Sequence, residues 1–504
     1  MTPSLPTAVD SRVRPAVAAP AGGATSPAPD TTRALTGGGL AVLLLGFVPV
    51  NFTFGAVNLL VPAIAADLAV SPAGGALVLS AYTTTFAAGL VVAGRLGDRY
   101  GRRRLFAVGL ACFGVLAVLT ALAQGLTDLV VLRAALGLAA GLFTPQVLST
   151  IQATAPDALR SRGIILFTAA GAVATIVGQV AAGALVVALP AHLGWRAVQI
   201  VTAIIALGAL LGLRAVPESR SEAPLALDLP GAALLGGGLV ALVVPLTTGP
   251  GAGWPAWAVG LLVVAAVTLT LFALTQRRAE RRGLLPVVPP RVLRVPVVRI
   301  GLLMTMLFFV TYGAFLYEIS EYSQTVWGAD GWGAAVLLLA FGGAFVVTAL
   351  ALPRILRRVG PRIMVYAASG QAVVLLGIAL VVGRDGGGAA PVVLQPLLVA
   401  LGAAQAMMYG PALQTVLSRT PTWAAGVAGG LLTTLQQLGL GLGVALLGGL
   451  FHAVAGAADG TPLAAATGPG SGLTVGLVTA VTAQAACAVV FALLASRVVR
   501  HTTA

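Results

Sequence analysis

Two carboxylates, Glu318 and Glu321, stand three residues apart at the end of an apolar stretch, 297–320. That spacing puts them on one face of a helix, beside Tyr317 and Tyr322. Two carboxyls so close titrate as a coupled unit and suit proton exchange. If the membrane part begins at Arg299, however, about 20 residues at about 1.5 Å each bring Glu318 to the far interface, where the pair would be ordinary helix-end acids in water. The remaining acids lie in or beside connections or in the N-terminal segment. Arg133 sits four residues into another apolar stretch, 129–151. A charge there is costly and faces a cavity or a partner, unless its stem carries the head back to the surface.

Other chemistries are excluded by what is missing. The formal charge of +14 comes from 29 basic residues, all arginine, against 15 acids. Without lysine there is no phosphate loop of the GxxxxGK[ST] kind and no Schiff-base lysine, so the chain is not an ATP pump by itself. Cys112 and Cys487 lie within apolar stretches, and His192, His452 and His501 are far apart. No metal-ligand spacing and no disulfide framework result. No metal, cofactor or nucleic-acid partner is expected, nor an enzyme, since no Ser/His constellation appears. Gly439-Leu-Gly-Leu-Gly443 lies inside an apolar stretch, where it serves close packing and not nucleotide binding.

The elements that position these groups are membrane helices. Only 9% of the 504 residues are charged and 58% are apolar, with a mean hydropathy of +0.99, against roughly 25% charged in soluble domains. Apolar runs fall at 38–66, 76–94, 105–123, 129–151, 164–189, 197–213, 231–248, 256–274, 297–320, 333–353, 363–383, 391–416, 424–451 and 472–496. Each is a candidate spanning helix, and at about 20 residues apiece the fourteen occupy about 280 positions. Twenty-six arginines lie in the termini and alternate connections, against two, Arg196 and Arg384, on the other side. Positive charge gathers in cytoplasmic connections, so both termini are expected in the cytoplasm. Loss of one pair of helices would preserve the alternation, which leaves twelve spans open.

Six prolines among Ala, Thr and Ser mark 1–35 as a disordered cytoplasmic tail. A basic, proline-rich segment from Gln276 to Arg299 separates two bundles. The expected organisation is an N-terminal six-helix bundle at 36–214, two inserted helices at 215–276, a cytoplasmic linker at 277–296, a C-terminal six-helix bundle at 297–497 and a tail at 498–504. Arg95, Arg99, Gly101 and Arg103 recur at a constant offset of 259 as Arg354, Arg358, Gly360 and Arg362, as equivalent loops of two homologous halves would.

The segment Gly94-Arg-Leu-Gly-Asp-Arg-Tyr-Gly-Arg-Arg-Arg104 resembles the signature loop of the major facilitator superfamily. Leu60-Val-Pro-Ala-Ile-Ala-Ala-Asp-Leu68, Ser80-Ala-Tyr82, Arg133 with Gly137 and Gly141, Gly194-Trp-Arg196, Pro217-Glu-Ser219, Asp228-Leu-Pro-Gly231 and Gly426-Val-Ala-Gly-Gly430 look like its fourteen-helix drug:proton antiporter family. The resemblance runs from about residue 40 to the C-terminus. It implies an all-α polytopic membrane protein of the major facilitator fold: two six-helix bundles rocking about a central cavity, plus two extra helices outside that core. It also implies that Gly94, Gly97, Asp98, Arg99, Gly101, Arg102 and Arg103 form a cytoplasmic gate, a charge network that latches that side shut. By its own physics the glycines permit tight turning, and Asp98 near a helix C-terminus needs partners against the dipole. A merely solvated basic loop is the plainer alternative. Arg133 matches the family's helix 4 arginine, implicated in proton coupling. Pro145 and Pro411 would kink their helices or simply pack.

Two departures bear on mechanism. Many members of the resembled family carry an aspartate five residues before the asparagine matching Asn58, and here Thr53 stands there. The family's GxxxGPxxGG motif reads Gly178-Gln-Val-Ala-Ala-Gly183, with Gln179 for proline and Ala182 for glycine. Asn51, Asn58, Gln146, Gln179, Tyr312, Gln405, Tyr409 and Gln436, with Gln414 and Gln437, are uncharged polar residues in apolar stretches. Each is either interhelical glue or substrate-cavity wall. Together they suggest an uncharged or weakly cationic amphipathic small-molecule substrate. The expectation is a proton-coupled exporter of hydrophobic or amphipathic compounds, a monomer in a bacterial cell membrane, with substrate, protons and lipid as its partners. The alternatives are an uncoupled or import-type facilitator, favoured by Thr53, and a membrane sensor or scaffold, disfavoured by intact Asp98 and Arg133.

Overall fold

A computed structural model describes residues 34–220, 228–284, 286, 288, 290–384, 391–419, 425–459 and 471–503. Most of the expected tail at 1–35, Glu222, Asp385 and residues 285, 287 and 289 of the expected linker lie outside the described residues. The helices are α1 (Gly37–Leu68), α2 (Pro72–Tyr100), α3 (Arg102–Ala121), α4 (Leu126–Thr154), α5 (Asp157–Ala188), α6 (Ala191–Leu211), α7 (Leu229–Thr248) and α8 (Ala256–Arg281). After a short turn at Pro290–Arg294 come α9 (Pro296–Thr325), α10 (Gly331–Val359), α11 (Ile363–Arg384) and α12 (Pro391–Arg419). Next is α13 (Ala425–Gly443), which runs through a π-helical turn at Val444–Gly448 into Gly449–Asp459, and last is α14 (Ser471–Thr503). No strand occurs among the described residues.

Thirteen stretches are long and apolar enough to cross a membrane, and one of them, Gly331–Arg384, is 54 residues long. It holds both α10 and α11, joined by a 3-10 turn at Gly360–Arg362, so the thirteen stretches contain fourteen crossing helices. Their starts follow local chemistry. Thr36, Ser71, Asp228 and Asp330 cap α1, α2, α7 and α10 by accepting from the backbone N–H of Gly39, Gly74, Gly231 and Gly333. The segment 95–104, expected as a loop, is the last turn of α2, a reversal at Gly101 and the first turn of α3. Gly101 has φ +104°, and its counterpart at the offset of 259, Gly360, has φ +69°, a region that L side chains avoid. The repeat seen in the residues is thus a repeat of backbone geometry. The expected tail at 498–504 continues α14 through Thr503.

Helices in lipid gain little from hydrophobic burial against one another and associate through close packing. In the first group α1 packs on α5 and α6, α2 on α4, and α3 on α4 and α6; in the second, α9 packs on α13 and α14, α10 on α12, and α11 on α12 and α14. α7 pairs with α8 and leans on α2. Glycines let backbones meet: Gly178 lies on Phe52, Gly137 on Tyr82, Gly402 on Phe341 and Gly443 on Val310.

One face carries the α2–α3 and α10–α11 turns with their arginines; the opposite face carries the α1–α2, α5–α6 and α9–α10 turns. Toward the arginine-rich face each group has its own core, Phe47, Phe106 and Phe143 in one and Met304, Phe308 and Phe491 in the other. Toward the opposite face a single core runs through both, from Phe52, Leu60 and Trp195 to Phe315, Phe341 and Phe451. Gly183 of α5 meets Gly331 of α10 there, Ser320 Oγ donates to Asn58 O at 3.0 Å, and Gln324 Nε2 donates to Leu59 O at 3.3 Å. The two groups are therefore sealed together on the face away from the arginines.

Candidate functional site

The α9 carboxylates are not helix-end acids in water. Helix α9 continues to Thr325, and α13 and α14 cover the face that bears them. Glu318 is 0% exposed; its Oε2 accepts from Gln484 Nε2 of α14 at 2.7 Å, and its Oε1 has no hydrogen-bond partner among the described residues. The Glu321 side chain is 12% exposed, and its Oε2 lies 3.3 Å from Nε2 of His452 on α13. The same imidazole nitrogen is 2.9 Å from Tyr317 Oη. Tyr322 Oη lies 2.9 Å from Thr474 Oγ1. A wholly buried carboxyl, a nearly buried one, a phenol and an imidazole thus share one pocket, with no arginine in it among the described residues.

Arg133 of α4 does not reach back to the surface. It is 1% exposed; Nε donates to Val78 O and Nη1 to Thr53 Oγ1, each at 3.3 Å. Its guanidinium lies 4.6 Å from the centre of the Tyr82 ring, a cation–π contact. Thr53, standing where the resembled family has an acid, is therefore the direct partner of Arg133. The cation is held by a carbonyl, a hydroxyl and a ring face.

The gate residues form a bonded cluster on the arginine-rich face. Asp98 Oδ1 accepts from Arg102 Nη2 at 2.6 Å and Nε at 3.1 Å, a charge-assisted pair that spans the reversal at Gly101. Arg102 also donates to Ser219 Oγ at 3.3 Å, and Arg103 N donates to Glu218 Oε1 at 3.1 Å. The positive φ of Gly101 is what requires glycine there, and the Glu218 carboxylate lies against the space a Cβ would take, 2.7 Å away. Gly97 lies directly under Gln146. Arg99 points outward over the Tyr100 ring, and Gly94 has open space around it. The partners come from the Pro217-Glu-Ser219 segment after α6, so in this conformation the cluster ties the first helix group to itself. Arg95 reaches further, donating to Pro286 O of the linker.

The polar residues expected around a cavity divide. Gln146 Nε2 donates to Ala93 O at 2.8 Å, which makes it a tie between α4 and α2. Asn58 Nδ2 donates to Phe54 O of its own helix, and the Asn58 carbonyl belongs to the seam with Ser320. Tyr312 and Tyr409 stack on Phe308 with ring centres 5.9 and 5.3 Å away, an aromatic wall of the second group. Gln179 and Gln405 are buried, Asn51 and Gln436 half-buried, and Gln414 exposed; Asn51 Nδ2 and Gln405 Oε1 have no hydrogen-bond partner among the described residues. None of these lines the apolar cleft of about 1050 Å³ between α2, α3, α4 and α7.

Residue patterns alone missed several partners. His452 is read there as an isolated histidine after the 424–451 stretch, whereas α13 runs on to Asp459 and turns it toward α9. Gln484 carries no distinguishing pattern. On the opposite face Asp67 accepts from Trp195 Nε1 at 2.9 Å and from Arg196 Nη1, and Arg196 Nη2 donates to Ala123 O at 3.1 Å. Two separately quoted motifs, the end of α1 and Gly194-Trp-Arg196, are halves of one clasp.

Comparison with known proteins agrees with this architecture. The Major Facilitator Superfamily profile matches residues 43–444. The chain is 32% identical over 404 residues to the probable actinorhodin transporter of Streptomyces coelicolor, covering 79% of this chain and 69% of that one. It is 33% identical over 422 residues to the puromycin resistance protein pur8 of Streptomyces alboniger, covering 81% and 80%. Among solved structures, the POT family transporter PepTSo superposes with a TM-score of 0.65 at 14% identity, over 92% of this chain and 97% of that one.

Proposed function

The chain belongs to the major facilitator superfamily, and on that premise we propose that it is a proton-coupled exporter of small hydrophobic or amphipathic compounds, antibiotics among them. In this reading it is a monomer in a bacterial cell membrane with the arginine-rich face and both termini in the cytoplasm, as the arginine asymmetry argues. The segments 36–214 and 297–497 are the two moving bodies, and 215–276 and 277–296 the inserted pair and linker. The names of its relatives, transporters of or resistance proteins to actinorhodin and puromycin, support the substrate class.

Glu318 is the observation that carries the proton part. A carboxyl 0% exposed and bonded to an uncharged amide is enclosed in this conformation, which is sealed on the external face. The pair lies inside the second helix group, between α9, α13 and α14, so in this reading loading and unloading a proton needs those helices to shift as the external face opens. Arg133 is the second proposed coupling residue, holding charge beside α1 where the halves meet. Asn51, Gln405, Tyr312, Tyr409 and Gln436 are the proposed substrate contacts, and the Asp98–Arg102 cluster is the proposed cytoplasmic latch.

The test is energised efflux of puromycin and a cationic dye from pump-deficient bacterial cells. Wild type, Glu318→Gln, Glu321→Gln and Asp98→Asn are compared at matched expression, with and without a protonophore. Protonophore-sensitive efflux that both glutamine variants lose supports the reading. Thr53 beside Arg133 favours a second reading, a facilitator without proton coupling; efflux indifferent to the protonophore and to Glu318→Gln would select it.

A further inference from the structure

A buried carboxyl can serve a proton-driven cycle only if protons reach it, and Glu318 itself touches no water. Exposure is graded around it: the Glu318 residue is 0% exposed, while the side chains of Glu321 and His452 are 12% and 21% exposed. His452 Nε2 stands 3.3 Å from Glu321 Oε2 and 2.9 Å from Tyr317 Oη. The carboxyls, Tyr317 and Tyr322 come from α9 and the imidazole from α13. From α14 come Gln484 and Thr474, and from α1 Asn58, none of which ionises in this range. No arginine faces the group among the described residues. The imidazole is thus the most exposed side chain of the His452, Glu321 and Glu318 set, and its two ring nitrogens let it take a proton at one and give one from the other.

We propose that His452 is the proton relay between external water and the Glu318–Glu321 pair. The imidazole takes a proton from water at Nδ1 and yields the one on Nε2 to the Glu321 carboxylate, whose Oε2 lies 3.3 Å away with no hydrogen bond in this conformation, so the ring has to turn from Tyr317 Oη for the transfer. No covalent bond other than N–H and O–H changes, and the ring is neutral again after the transfer. Glu321, one turn from Glu318 and on the same face, passes the proton inward. His452 is a positioning and relay residue, with no contact to the exported compound. This inference rests on the proton-coupled reading of the carboxyl pair, and its test keeps the two apart.

The test follows the C=O stretch of protonated carboxyls by infrared spectroscopy after a pH jump, with the full chain in lipid nanodiscs and no substrate present. The wild type is expected to show a band that rises on acidification and is absent from the Glu318→Gln/Glu321→Gln protein. His452→Gln is expected to keep the melting temperature and the final band amplitude while slowing its rise by about 100-fold, the size of a lost general acid–base catalyst. His452→Ala is expected to be slow as well, and free imidazole in the buffer restores its rate. A merely structural histidine would not produce that rescue. A His452→Gln protein that protonates as fast as wild type overturns the relay and leaves the carboxyl pair standing. Slowing that imidazole does not rescue also overturns it. A wild type with no carboxyl band that depends on the pair overturns the proton-coupled reading and the relay together.

Discussion

Gly183 of α5 and Gly331 of α10 lie backbone against backbone where the two helix groups are sealed. A methyl group at position 183 would overlap the Gly331 carbonyl oxygen and come within 2.8 Å of Ala335 Cβ. Neither neighbour is the end of a flexible side chain, so the helices have to move apart. Overpacking of this kind costs about 1–3 kcal/mol. If α5 and α10 separate when the external face opens, only the sealed conformation bears that cost. Gly183→Ala then shifts the balance toward the opened form by roughly 5- to 150-fold, the ratio those energies convert to. Gly402→Ala is the control. Gly402 of α12 packs on the Phe341 carbonyl of α10 inside one group, so both conformations bear the cost and only stability falls. The assay is pulsed electron paramagnetic resonance between labels at the exposed positions Val187 and Trp332, with Cys112 and Cys487 replaced by serine. A longer-distance population should grow in Gly183→Ala and not in Gly402→Ala. Unchanged distances, with a melting temperature lowered as in the control, would refute a seam that opens.

Three further outcomes follow from the geometry. Arg133→Met removes two charged hydrogen bonds of about 1.5–3 kcal/mol each but also a buried cation whose desolvation costs several kcal/mol; puromycin efflux should vanish with little change in melting temperature, whereas retained efflux with a large loss of stability would make Arg133 a packing residue. Asp67→Ala strands the indole N–H of Trp195, which is 0% exposed, and removes a partly exposed ion pair, so stability in detergent should fall by about 1–3 kcal/mol while the pH profile of transport stays put. Asp98→Asn frees Arg102 from a half-exposed pair worth about 1 kcal/mol; efflux rates should drop with melting temperature nearly unchanged, and equal rates would relegate the cluster to anchoring its turn.

Helix positions were readable because apolar length is set by the bilayer, and of the two counts the apolar runs left open, fourteen and twelve, the described residues form fourteen long helices. The Gly101/Gly360 correspondence was readable too, since a reversal with positive φ has few residues to choose from. Side-chain partnerships were not, because they depend on which helix faces which. Thr53, which stands where many members of the resembled family carry an aspartate, accepts from Arg133 Nη1, a partnership its position in the sequence does not show. Asp98 needed partners by the dipole argument and has one in Arg102, but Glu218 and Ser219 enter the cluster from 115 and 117 residues away. Glu318 remained ambiguous between water and burial because counting residues from Arg299 ignores what α13 and α14 lay over α9. His452 looked solitary for the same reason: its neighbours Tyr317 and Glu321 come from a helix more than a hundred residues earlier.

The most direct test of the account is puromycin movement in proteoliposomes with an imposed pH gradient. With the interior acidic, outward proton flow through wild type should drive puromycin inward against its own gradient. Glu318→Gln should abolish that uphill uptake and leave exchange of labelled for unlabelled puromycin intact. Puromycin that only equilibrates, at a rate indifferent to the gradient and to Glu318→Gln, would contradict proton coupling through the α9 carboxyl.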